Sequence, residues 1–215
     1  MKKKSNIIQF DLLNQWYDTT LGLQVLHHEI TNLADELPEL FGYYIVQLGG
    51  PNNKKILASS NINNKIILHK NIELSIDKPL LSQEKVDVMV AMHALECTAQ
   101  PSILLDQIYD ALIPNGYLII FGFNPYSSLG IKYLLSKNKP LPWLENWTSP
   151  GAMRDLLKKH DFTVLGKPKQ LLQSYFATSY MLVAQKITLA TMPITNPRKT
   201  LPALASYGTL TSREN

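Results

Sequence analysis

"VDVMVAMHALECTAQPSILLDQIYDALIPNGYLIIFGF", residues Val86 to Phe123, sets two apolar runs on either side of a helical repeat. Val86 to Met92 is apolar throughout except for Asp87, and "YLIIFGF" from Tyr117 is a second continuous run. Between them Ile103, Leu104, Ile108, Ala111 and Leu112 recur at helical spacing, and Pro114-Asn115-Gly116 closes that face. A strand without polar alternation has to be covered on both faces. Strand, helix and strand in this order therefore predict a right-handed crossover within a parallel sheet.

The flanking sequence extends the pattern. From Leu21 to Leu40, apolar residues Leu23, Leu26, Ile30, Leu33, Leu37 and Leu40 mark an amphipathic helix that Pro38 ends or kinks. Tyr43 to Leu48 reads as a short buried strand stopped by Gly49, Gly50 and Pro51. "NNKKILASSN" reads as one or two helical turns, and Lys65 to His69 as a strand. Ile72 to Ile76 alternates apolar and polar side chains, as a third strand at the sheet edge would. Further along, Thr148 or Ser149 caps a helix with Pro150 in its first turn, and "FTVLGKP" and "SYMLVAQKI" are two late strands.

This order predicts an α/β fold: a doubly wound, mostly parallel sheet with helices on both faces. Residues 1–40 form an N-terminal helical extension, 41–187 the main domain, and 188–215 a loosely ordered tail rich in Pro, Thr and Ser. Ligands of such sheets bind at the carboxyl ends of the strands, so the loops after Leu48, Met92 and Phe123 are expected to converge.

Composition narrows the partners. The net charge of +4 arises from 21 basic and 17 acidic residues, with no basic stripe interleaved with aromatics, so no nucleic-acid partner is expected. The single cysteine, Cys97, excludes an internal disulfide and a cysteine-based zinc site and points to a reducing compartment, the cytoplasm. With no basic partner in its neighbourhood, Cys97 reads as a buried, neutral thiol. No run approaches the roughly 20 apolar residues of a spanning helix, and no signal-like run follows the N-terminal lysines, so neither membrane insertion nor secretion is expected. His27 and His28 are adjacent on a helix and diverge, which excludes a paired metal site there.

The element order and three pieces of the central stretch resemble the class I S-adenosylmethionine-dependent methyltransferases, in particular the small bacterial methyltransferase type 11 group. "VDV" followed by "AMHALE" looks like that family's fourth strand and its loop. "LLDQIYDALIPNGYLII" looks like the next helix, turn and fifth strand. "GFNPYSSLG", with Trp16 and Leu21-Gly22 near the start, resembles a proteobacterial branch of the group. The resemblance runs roughly from Phe41 to Gln185 and implies S-adenosylmethionine as cofactor and a small or medium-sized methyl acceptor. By the same correspondence Gln47, Gly49 and Gly50 would line the methionine end of the cofactor, Met92 and His93 would sit beside it, and Asn124 and Tyr126 would face the acceptor.

Two departures from the family's pattern qualify this. Gln47 stands where an acid is usual, and of the spaced glycines only Gly49 and Gly50 remain. At the end of the second strand, where a carboxylate normally takes the ribose hydroxyls, the chain offers His69 and Asn71, and Glu73 and Asp77 are out of register. A second reading therefore stays open, a binding or scaffold protein with the methyltransferase fold and a degenerate cofactor site. A nucleotide-binding oxidoreductase is the weaker third, because "LGGPNN" lacks the spaced glycines. The triplet Asn124-Pro125-Tyr126 follows the fifth strand, whereas enzymes that methylate amino or amide nitrogens carry theirs after the fourth, so neither DNA adenine nor glutamine is the expected substrate.

Overall fold

A computed structural model describes residues 7–75, 77–135, 147–171 and 178–187, with the side chains of 132–134 and 170–171 left aside. The chain begins with a two-residue strand β1 (Ile7–Ile8) and two helices, α1 (Asp11–Tyr17) and α2 (Thr20–Glu36). There follow β2 (Tyr44–Leu48), β3 (Asn64–Leu68), β4 (Ile72–Glu73), β5 (Val86–Met92), α3 (Pro101–Ala111) and β6 (Leu112–Phe123). Helices α4 (Ser128–Leu135) and α5 (Pro150–Lys159) and strands β7 (Phe162–Leu171) and β8 (Ser179–Lys186) complete the order.

One six-stranded sheet runs β3-β2-β5-β6-β8-β7, with β3, β2, β5 and β6 mutually parallel; β8 runs antiparallel to both of its neighbours, β6 and β7, so β7 again points the same way as the first four. The two apolar runs behave as their composition requires. Val88 to Met92 and Leu118 to Phe121 are buried, and both lie in the middle of the sheet. The one charge in the first run, Asp87, is structural. Its carboxylate accepts the Tyr43 and Tyr44 amides at 2.9 and 2.8 Å and fixes the start of β2 against β5.

Pro38 ends α2 rather than kinking it; a 3-10 turn, Leu37–Glu39, follows. Thr19 caps the start by accepting from the Gly22 amide. The buried face of α2 is Gly22, Val25, Leu26, Glu29 and Leu33. Gly22 lies where α1 and α2 cross, and a Cβ there would run into the Trp16 carbonyl. The two helices, with Phe10, Leu13, Trp16 and Tyr17, belong to the same continuous core as the central strands.

Three local expectations need correction. Ile72–Glu73 does not extend the large sheet as a third strand; it pairs antiparallel with β1, Ile7 opposite Glu73 and Ile8 opposite Ile72. Alternation along a strand specifies a face, not a partner, and the N-terminal segment supplies the partner here. Residues 54–59 form turns rather than a helix, and among the described residues no helix lies between β2 and β5, where Pro51, Pro79 and a high density of Asn disfavour one. Finally, Pro114–Gly116 falls within β6 at a register shift, with Asn115 in the left-handed region at φ +62°. The tail expected at 188–215 lies outside the described residues.

The crossing at Gly22 is the tightest test of this packing. Gly22→Ala is expected to lower stability by about 1–3 kcal/mol, because the methyl group has no room without separating α1 from α2. Thermal denaturation should show a drop of several degrees; an unchanged midpoint contradicts the packing described.

Candidate functional site

The loops after Leu48, Met92 and Phe123 meet at one end of the sheet, as expected. Gln47 pairs with Val90 in register, the Gly49 amide donates to Leu68 O at 2.8 Å, and the His93 amide donates to Phe121 O at 3.1 Å. This is the carboxyl end of β2, β3, β5 and β6, at the point where the strand order reverses, the usual ligand position in such sheets.

Gly49 and Gly50 turn the chain there with φ of +81° and +69°, a conformation open to glycine at little cost. Gln47, fully buried, holds the turn from inside: its Nε2 donates to Gly49 O at 2.9 Å and to Pro51 O at 3.1 Å. Its Oε1 is buried with no hydrogen-bond partner among the described residues. Nearby, Asn14 Nδ2 donates to His69 O at 3.0 Å while Asn14 Oδ1 is likewise buried and unmatched. Buried acceptors of this kind are rare in finished interiors and mark places where a ligand or water completes the bonding.

The space above the turn is filled by the chain itself. A Cβ on Gly49 would lie 2.8 Å from the Phe10 ring, and one on Gly50 2.9 Å from Met92 Sδ. Phe10 and Met92 are fully buried. Asn71, just past the end of β3, is also engaged: its Oδ1 accepts the Phe10 amide at 2.7 Å and the Asp11 amide at 3.2 Å. Its Nδ2 donates to Asp11 Oδ2 at 2.6 Å. A carboxylate thus does stand beside the end of β3, but it comes from α1, 60 residues earlier in the chain.

Behind the turn lies a charged cluster closed to water. His93, in the left-handed region at φ +52°, has its Nε2 2.8 Å from Glu29 Oε1 and its Nδ1 3.8 Å from Glu96 Oε1. Tyr17 donates to Glu29 Oε2 at 2.7 Å, and Glu96 Oε1 accepts the Phe123 amide at 2.8 Å. The imidazole stacks on Phe123 with centroids 3.7 Å apart, and Phe123 stacks in turn on Trp147 at 4.9 Å. Burial alone would push the His93 pKa down, but the Glu29 and Glu96 carboxylates outweigh it and raise it to about 9. The two carboxylates thus favour the imidazolium form of His93. Burial and Glu29 push the Tyr17 phenol well up, and burial and Glu96 do the same to the Cys97 thiol, which stays protonated and unreactive.

Of the residues expected at the site, Gln47, Gly49, Gly50, Met92 and His93 are brought together, all of them buried. Asn124 stands at the end of β6, where its Oδ1 accepts the Tyr126 amide at 3.1 Å, and Tyr126 points into solvent at 72% exposure. Glu29, Tyr17, Phe10, Asn14 and Asp11 were missed. Only Glu29 carries a sequence signal, a polar side chain on the apolar face of α2, three residues after Leu26. Among the described residues, no group of His, Cys, Asp and Glu has the makings of a metal site.

Comparison with known proteins agrees with this architecture. A family model described as "Methyltransferase domain" matches residues 51–120. A SAM dependent methyltransferase from Aquifex aeolicus superimposes with TM-score 0.54 at 13% identity, over 83% of this chain and 100% of that one. A possible histamine N-methyltransferase from Thermotoga maritima gives 0.53 at 16% identity, over 82% and 94%. Probable polyketide synthase 24 from Dictyostelium discoideum is 31% identical over 108 residues; the match takes in 45% of this chain and spans only 4% of that relative's length. The chain has the class I methyltransferase fold.

A pH dependence follows from the cluster. His93 is raised from 6.5 to about 9 on folding, so its contribution is complete below pH 6.5 and is lost as the pH rises through 9. A shift of this size corresponds to roughly 3 kcal/mol. The midpoint of thermal denaturation should fall over that window in the parent chain and fall much less in His93→Gln. Equal slopes for the two proteins contradict a charged His93.

Proposed function

We propose that this chain is an S-adenosylmethionine-dependent methyltransferase that acts on a small or medium-sized acceptor. The observation that carries the reading is the Gly49–Gly50 turn at the switch point of a class I methyltransferase sheet, with the unmatched acceptor Gln47 Oε1 buried beside it. An ammonium group, such as the one on the methionine end of the cofactor, is the kind of donor that such an acceptor lacks. The polar groups therefore suit the cofactor. The space suits it only with the Phe10 ring out of the turn.

Bound S-adenosylmethionine supplies an already activated methyl group, which leaves the protein the work of alignment and water exclusion. In this reading Gln47, Gly49 and Gly50 hold the methionine end and Met92 walls it. His93 fixes the loop after β5 through Glu29 and Glu96. Asn124 and Tyr126, on the loop after β6, stand on the acceptor side. Among the described residues no helix is long and apolar enough to cross a membrane, and a cytoplasmic setting with its reduced Cys97 belongs to the same proposal.

The filled turn favours one alternative specifically: a protein that keeps the fold and has closed the cofactor site for good. Calorimetric titration with S-adenosylhomocysteine separates the two. We expect 1:1 binding with a dissociation constant of about 1 μM or weaker, since neutral contacts replace the charge-assisted ones. Gln47→Leu should weaken it about tenfold or more. Flat titrations at millimolar ligand, for the parent chain and also for a variant with the Phe10 ring removed, contradict enzyme function and support the closed scaffold.

A further inference from the structure

We infer that residues Ile7–Tyr17 form a strap that lies in the groove an adenosyl ligand would take, with the Phe10 ring as its plug, and that the ligand binds only when the outer end of the strap, Ile7 to Leu12, lifts. This rests on the proposed cofactor class and goes beyond it by naming the segment of this chain that competes for the site.

The placement is specific. β1 is hydrogen-bonded on one side to β4, just after β3, while the next amide, Gln9, donates to Cys97 O at 3.0 Å in the loop after β5. The segment therefore bridges the loops on both sides of β2 and passes over its end. Phe10 then drops onto Gly49, and Asn71 holds the Phe10 and Asp11 amides in the place of sugar hydroxyls. A single peptide segment thus covers the positions that the methionine and ribose parts of the ligand would occupy.

Its fastenings differ along its length. At the outer end it is held by a two-residue strand, by the buried Ile8 and Phe10 side chains and by the hydrogen bonds to Asn71, with Ile7, Gln9, Asp11 and Leu12 exposed and the Asn71–Asp11 pair open to solvent. At the inner end Tyr17 is tied into the buried Glu29–His93–Glu96 cluster. That asymmetry allows the outer residues to lift while the helix end stays in place. The apparent affinity for ligand is then the intrinsic affinity scaled by the small fraction of molecules in which the strap is open.

The test uses the full chain and two variants. Phe10→Ala removes the plug; Asp11→Ala, on the surface, loosens the strap without touching the core and guards against a folding defect in the first. S-adenosylhomocysteine should bind Phe10→Ala at least tenfold more tightly than the parent, with a smaller gain for Asp11→Ala. In the parent, saturating ligand should speed amide hydrogen exchange at Gln9, Phe10 and Asp11. Parent binding that neither variant improves, or exchange at these amides that slows on binding, overturns the strap and leaves the methyltransferase reading standing. Absence of binding by all three proteins overturns both.

Discussion

The carboxylate of Glu29 and the imidazole of His93, 2.8 Å apart and shut off from water, form the contact on which the rest of the architecture depends. Burying an ion costs several kcal/mol unless its partners are in place, so neither group tolerates loss of the other. The pair joins α2 to the end of β5, Tyr17 joins α1 to the same carboxylate, and Glu96 carries the connection to the start of the loop after β6. An N-terminal helical unit is thereby fixed over the ligand end of the sheet. Its position, more than the sheet itself, decides what can reach the Gly49–Gly50 turn.

The same contact explains how the fold departs from a plain doubly wound sheet. Turns replace the helix after β2, and β4 lies outside the large sheet, so the loop end around β2 and β3 has little cover of its own. The N-terminal segment supplies it: Ile8, Phe10 and Leu13 are completely buried there. What the central domain lacks in helices, the N-terminal extension provides as a packed cap. The left-handed backbone at His93 is part of this arrangement, because it turns the ring back toward Glu29 at a cost of order 1 kcal/mol.

The elements legible in the sequence are those specified by their own residues. Val86–Met92 and Tyr117–Phe123 are continuous apolar runs that only a central strand position satisfies, α2 announces itself by spacing, and α5 by cap and spacing. What was illegible depends on residues distant in the chain. Ile72–Glu73 alternates as an edge strand should, yet its partner is Ile7–Ile8, hidden in a stretch whose Asn, Gln and Asp break any apolar period. The glycine turn and the loop after β5 could be read as a site. That Phe10 lies on Gly49, or that Glu29 reaches His93 across 64 residues, has no local signature. The carboxylate missing from the end of β3 shows the same limit, since Asp11 stands beside it from another element.

The most direct measurement is a crystal structure of the full chain grown with millimolar S-adenosylhomocysteine. The adenosyl group is expected across the ends of β2, β3 and β5, with the Phe10 ring withdrawn from Gly49 and Glu29 still paired with His93. A ligand seated there with Phe10 unmoved against Gly49, or bound at a different face of the sheet, contradicts this.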